Sequence, residues 1–404
     1  MPRRARALAP IAGAATLALA LTGCVANAPA GSGVAVDIRD DACDVAVDTA
    51  EAGTVTFALA NNGTDVNEFE ILADDKLRIV GEKENITPGQ QVSYVAQLQP
   101  GTYYTACKFQ QVGAPVGLAE FTVTGEATEI SASAQELVDT AVEEYTAYVR
   151  SQAAELIPAV EAFAEAYAAG DDDTARSLYA STRVFYERIE PTAEAFGDLD
   201  PKIDFREVDA VADGLDWTGF HRMEKDLWAP EAGDLNSDGQ DALLDWAPST
   251  PQERQAFADG LVADITELHA LVTADDFSLS LADISNGAIA LLDEVAAGKI
   301  TGEEDWWSGT DLSDFAANVQ GAGVAFGAVR DIAESTGDDG AALAEEIDGQ
   351  FTALEAALAE YGSLEDGFVD YATLTDADKR TLSDAVNALA EPLSQLTATV
   401  LEVS

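Results

Sequence analysis

The chain has 404 residues and sets 21 Lys+Arg against 74 Asp+Glu, a formal net charge of −53. A polymer this acidic repels phosphate backbones, which excludes nucleic acid as a partner and leaves cations as the natural ones, with plain solubility as the other use of the charge. With 47% apolar residues it can still bury a core, and its length suits two or three domains.

Residues 1–23 read as an export signal. MPRRARALAP carries the positive charge, IAGAATLALALTG supplies the apolar run, and Cys24 follows at once. That run is too short to span a bilayer, and no later stretch has 18 uninterrupted apolar residues. Leu21-Thr22-Gly23-Cys24 resembles a lipobox, in which the cysteine is acylated and becomes the first mature residue. The expectation is a protein held by a lipid anchor at Cys24, in the cell envelope or periplasm, outside the cytoplasmic membrane. Arg3 and Arg4 leave the choice between general and twin-arginine export open.

Residues 33–125 alternate apolar and polar side chains with β-branched and aromatic enrichment, as in TVTFALAN, QVSYVAQL and LAEFTVTG. Turn signals such as NNG, TPGQ and QPG separate these runs, so an antiparallel β-sandwich is expected. Residues 126–134 are a polar linker. From 135 to 404 the apolar spacing becomes helical, starting with AQELVDTAVEEYTAYVRSQAAELIPAVEAFAEAYAAGD, and an all-α bundle is predicted. Breaks are expected near Pro158 and at Gly170.

Histidine is scarce: the chain holds two. His221 stands in GFHRME three residues before Glu224, and on a helix that spacing puts both on one face, where they can converge on one ion. A surface His–Glu hydrogen bond uses the same spacing. His269, in TELHALV, reads as a partly buried helix residue, and Trp306-Trp307 as an interface or packing element near the bundle mouth. After Cys24, Cys43 and Cys107 remain, and an oxidising compartment invites a disulfide while a metal would want thiolates. A blue-copper site is excluded, because no histidine precedes His221 and Met1 is the sole methionine there. Glu68 and Glu70, at i and i+2, face the same side of their strand.

Several separated segments carry a resemblance: TRVFYERIEP, FGDLDPKID, LWAPEAGDLNSDG and LLDEVAAGKITGEEDWWSGTDLSDFAANVQG. With Gly219, His221 and Glu224 as Gly-x-His-x-x-Glu, this half resembles the imelysin-like family. VNEFEIL, GEKENITPG and LQPGTYYTACKF resemble a cupredoxin-like domain. The implied fold class is a multidomain β + α chain, a cupredoxin-like antiparallel β-sandwich followed by an all-α imelysin-like bundle. Together the halves look like extracytoplasmic iron-uptake lipoproteins, which implies capture of ferrous or ferric iron, with zinc or copper as alternatives. Delivery to an iron permease, and a haem peroxidase of the same system, are the implied partners. The resemblance implies His221 and Glu224 as ligands and Asp238 as a third. For a fourth, Glu187 and Glu190 share a face at i and i+3, while Asp311 and Asp314 open a later helix; Gln320 stands where relatives often have an acid, so that ligand is either missing or supplied by Asp314. In the sandwich it points to Cys43, Cys107, Glu68 and Glu70 as a site for copper or ferric iron. The other implied activity is that of a metallopeptidase, but a zincin needs H-E-x-x-H and no second histidine lies near His221, so catalysis is not expected.

Overall fold

Strand alternation in the first third resolves into two facing sheets. In the computed structural model the described residues are 33–401 except 75, 77–78, 110–114, 126–131, 195–198, 245 and 276. The predicted signal, Cys24 and most of the predicted linker lie outside them. The strands are β1 (Val34–Arg39), β2 (Ala42–Val45), β3 (Thr49–Glu51), β4 (Gly53–Asn61), β5 (Asn67–Leu72), β6 (Ile79–Ile86), β7 (Gln91–Leu98), β8 (Gly101–Phe109) and β9 (Val116–Thr124). One sheet runs β2-β1-β4-β7 and the other β3-β9-β8-β5-β6. The pairings are not all antiparallel as expected from the sequence: β1 runs parallel to β4 and β3 parallel to β9. The chain leaves the first sheet after β2, adds β3 to the second and returns beside β1, so these neighbours are joined by a crossover and not a hairpin.

Inward-facing Phe57, Phe69, Tyr94 and Phe121 form the sandwich core, with Phe57 ring centroids 5.1 Å from Phe69 and 5.6 Å from Phe121. Cys43 on β2 and Cys107 on β8 are joined by a disulfide that ties one sheet to the other. Gly117 lets β9 pass close by, since a Cβ there would stand 2.6 Å from that of Cys43.

The helices are α1 (Ala132–Ala169), α2 (Asp172–Glu187), α3 (Glu190–Glu194), α4 (Asp200–Ile203), α5 (Glu207–Asp213), α6 (Gly219–Leu227), α7 (Pro251–Val272), α8 (Leu281–Glu294), α9 (Asp311–Ser335), α10 (Asp338–Leu358), α11 (Asp376–Leu393) and α12 (Leu396–Leu401). A π-helical turn, Val295–Lys299, extends α8. α1 packs on α2, α7 and α9, α8 packs on α9, and α10 bridges α9 and α11. Pro158 does not break α1. It lies on the exposed side with Ala154, whose carbonyl loses its helical partner, while Val149, Ala153, Leu156, Val160 and Phe163 keep the buried stripe packed. The helix ends at Gly170, where φ is +74°; Gly170 N–H donates to Tyr167 O and Asp171 N–H to Ala166 O, a Schellman cap. Thr250, Ser280 and Thr375 start α7, α8 and α11 with capping boxes.

The sandwich rests on the bundle through β6 and β7. Lys83 pairs with Asp293, and Asn286 Nδ2 donates to Val95 O at 3.1 Å and to Tyr94 Oη at 3.3 Å.

Candidate metal centre

Gly219 explains how His221 reaches the interior. The residue has φ +80°, and a Cβ on it would lie 2.1 Å from Ile203 O and 2.6 Å from Lys202 O. Only glycine lets α6 start flush against the end of α4, where Thr218 Oγ1 also donates to Lys202 O at 2.9 Å. The helix is short and buried along most of its length, and it carries His221 and Glu224 inward.

The His221 ring lies between two sets of oxygens. On one side Nδ1 is 3.1 Å from Glu224 Oε2 and 3.8 Å from Asp305 Oδ1. On the other, Nε2 is 3.3 Å from Glu304 Oε1 and 3.5 Å from Asp204 Oδ1. Ligand atoms of Asp204, His221 and Glu304 all lie within 4.8 Å of one another, as do those of His221, Glu224 and Asp305. Glu224 Oε1 accepts from the Trp307 and Ser308 backbone N–H groups at 3.0 and 2.7 Å. Tyr179 Oη donates to Asp305 Oδ1 at 3.0 Å. Above the ring a depression opens between Arg206, Glu303, Trp217, Trp306 and Trp307, with Trp306 40% exposed at its rim. Trp306 Nε1 donates to Leu235 O at 2.9 Å and so ties two long loops together at this mouth.

The region is short of positive charge. Glu187, Asp204, Glu224, Glu304, Asp305 and Asp314 are buried around two buried cations, Arg183 and Lys299. Burial opposes each carboxylate charge unless a cation or proton neutralises it. Burial accordingly raises the Glu224 carboxyl and drives Asp314 and Asp311 well above their usual range. Burial also works against Glu304, but Lys299 and His221 outweigh it and hold that carboxyl well below the usual range. At His221, burial and Arg183 disfavour the imidazolium, yet Asp204, Glu224 and Glu304 overcome both and push its pKa well up. The pocket therefore draws in positive charge, and a metal ion is one way to supply it. One imidazole among carboxylate oxygens suits iron or zinc and fits soft cuprous copper poorly.

Not every expected ligand lies here. Asp238 is exposed in a turn, where its carboxylate accepts from Gln240 N at 2.9 Å and Gln240 Nε2 at 2.8 Å, because the Ser-Asp-Gly sequence favours local capping over reach into the core. Glu187 and Glu190 are occupied by Lys299, at 3.0 Å each, and Glu187 also by Arg183. Asp314 Oδ2 accepts from Arg183 Nε at 2.8 Å, and Asp311 Oδ1 from the Asp305 N–H at 3.2 Å. Gln320 Oε1 accepts from Arg188, and His269 sits partly buried on α7.

The sandwich set of expected ligands comes apart in two ways. The disulfide leaves Cys43 and Cys107 no thiolate. Cys107 also pairs with Phe69 on the core face of the sheet, whereas Glu68 and Glu70 pair with Lys108 and Ala106 and so point to the opposite face. The two glutamates do adjoin each other there, both buried.

Asp204, Glu304, Asp305 and Arg183 were not singled out from the sequence. Their signal is faint: Glu303-Glu304-Asp305 is an acidic run outside any helical period, and Arg183 with Glu187 reads as a surface i, i+4 pair.

A family model described as Imelysin matches residues 141–396, and one described as a cupredoxin-like domain matches 11–117. The chain belongs to the imelysin family and carries a cupredoxin-like domain ahead of the helical one. Its relatives include the iron uptake system component EfeO of Escherichia coli O157:H7, 38% identical over 376 residues, with 92% of each chain covered. The protein of the same name in Shigella flexneri is 37% identical over 376 residues, again with 92% of each chain covered. A crystal structure of an iron-regulated protein A precursor from Parabacteroides distasonis has a TM-score of 0.44 and 16% identity, covering 68% of this chain and 96% of its own.

Proposed function

We propose that this protein is an extracytoplasmic iron-binding component of an uptake system, which holds iron at His221 and passes it to a membrane permease. In this reading Glu224, Asp204, Glu304 and Asp305 supply the oxygens. The observation that carries it is the buried imidazole with carboxylate oxygens beside both ring nitrogens, at the base of a depression open to solvent. The relatives named as iron uptake components support iron as the cargo. Two domains, 33–125 and 135–404, joined by 126–134 and anchored through an acylated Cys24, complete the proposal. A haem peroxidase is the further partner. No helix among the described residues is long and apolar enough to cross a membrane, in keeping with an anchor in place of a span. Catalysis is not part of the proposal: Glu224 would have to serve as ligand and base at once, and no second histidine lies near His221 in the sequence.

Titration of metal-free protein with ferric and ferrous iron tests this. Wild type should bind one ion tightly, and His221→Ala should weaken binding by roughly a hundredfold or more. Binding by His221→Ala and Glu224→Ala equal to that of wild type would remove the site.

A further inference from the structure

Arg183 is fully buried on α2 and sits inside the same acid cluster as His221. The two side chains face the same oxygen atoms. Asp204 Oδ1 is bonded by Arg183 Nη1 and lies 3.5 Å from His221 Nε2. Glu304 Oε1 is 3.6 Å from Arg183 Nη2 and 3.3 Å from Nε2. Asp305 Oδ1 is 3.7 Å from Arg183 Nε and 3.8 Å from His221 Nδ1. An ion held beside His221 through these oxygens must share them with a guanidinium, which cannot shed its proton.

We infer that Arg183 is the site's resident counter-cation, holding the carboxylates together when no ion is present and weakening the grip on iron so that the cargo can leave. The inference rests on the iron-binding reading of His221. Arg183 has partners to fall back on. Nη2 reaches Glu187 Oε1 at 2.5 Å and Nε reaches Asp314 Oδ2 at 2.8 Å, and neither of these oxygens is among those beside the imidazole. Asp314 Oδ1 is buried and lacks a hydrogen-bond partner, so it is an acceptor in waiting for an N–H that Asp204 or Glu304 gives up to iron. Tyr179 and Phe220 lie under the guanidinium, 5.8 and 5.4 Å from their ring centroids, and keep it in place without competing for hydrogen bonds. A buried acid cluster without this charge would repel itself when empty and would hold an ion too firmly to hand it on.

The test measures release of ferric iron from loaded full-length protein to an excess of a strong chelator. Arg183→Gln should release iron at least about tenfold more slowly than wild type, because a neighbouring positive charge is gone. Its metal-free form should melt lower than wild type and regain most of that loss on loading. Arg183→Lys, which keeps the charge and loses the fork, should fall between the two. Asp314→Ala, which removes the fallback acceptor, should release faster than wild type. A purely structural role predicts the opposite for Arg183→Gln: weaker binding and faster release, and that result overturns the inference. Should Arg183→Gln not fold, the wild-type ¹⁵N resonances of the Arg183 side chain decide the matter on loading with gallium(III): a shift supports the exchange of partners, and unchanged signals refute it. If instead wild type and His221→Ala bind iron equally, the reading of the site has failed first, and the inference falls with it.

Discussion

Both halves of the molecule bury carboxylates, but they neutralise them differently. In the sandwich, Glu68 and Glu70 lie side by side on β5 with no imidazole near, and burial and mutual repulsion push Glu68 up to about 8. There the proton does the work. In the bundle, Arg183, Lys299 and His221 are set among the acids, and Glu304 is held well below the usual range despite its burial. A carboxylate kept ionised at neutral pH can ligate a metal, whereas one kept protonated resists it. In the bundle the contrast holds for Glu304 and not for Glu224, Asp311 or Asp314, which burial raises, so Glu304 and the imidazole are what favour the bundle for the proposed iron site.

The contrast can be broken from either side. The largest effect on stability should come from Cys43→Ser with Cys107→Ser. Opening a link between residues 64 apart in sequence should cost the sandwich about 4 kcal/mol by loop entropy. Chemical denaturation should show that loss while the iron affinity of the bundle stays within about twofold of wild type. A large fall in affinity would mean that the sandwich takes part in binding.

Gly219→Ala follows, at about 3 kcal/mol, because the added Cβ meets the Ile203 carbonyl and the backbone is left-handed. Thermal melts check the stability, and a parallel titration should find iron binding lost as α6 shifts.

These two cases also mark how far the sequence could be read. Strand alternation and helical periodicity are local, so the order of sandwich and bundle was legible, as was the pairing of His221 with Glu224 a turn apart. The parallel neighbours β1/β4 and β3/β9 were not legible, because strand pairing across a crossover leaves no local mark. Continuation of α1 through Pro158 depended on which side of the helix faced water, a tertiary fact. Asp204, Glu304 and Arg183 come from separate segments, and only the packing of α2, α4 and the 300–310 loop around α6 gathers them. Asp238 misled for the converse reason, since resemblance at a turn says nothing of where the carboxylate points.

A smaller effect sharpens the protonation half of the contrast. Glu68 has a folded pKa above its unfolded value near 4.5, so the unfolded state releases its proton first as pH rises. Wild-type stability should therefore decline between about pH 4.5 and pH 8, and Glu68→Gln should flatten that decline. Parallel unfolding curves for the two proteins over this window would deny that Glu68 is held protonated. Smallest of all, Asp238→Ala should alter stability by less than about 0.5 kcal/mol and leave iron affinity unchanged by titration, as its carboxylate caps only a surface turn.

X-ray absorption at the iron edge of the loaded protein addresses the central claim most directly. The account predicts a shell of oxygen ligands with a single imidazole, which disappears in His221→Ala, and no sulfur. A sulfur shell, or the same imidazole signal without His221, would contradict it.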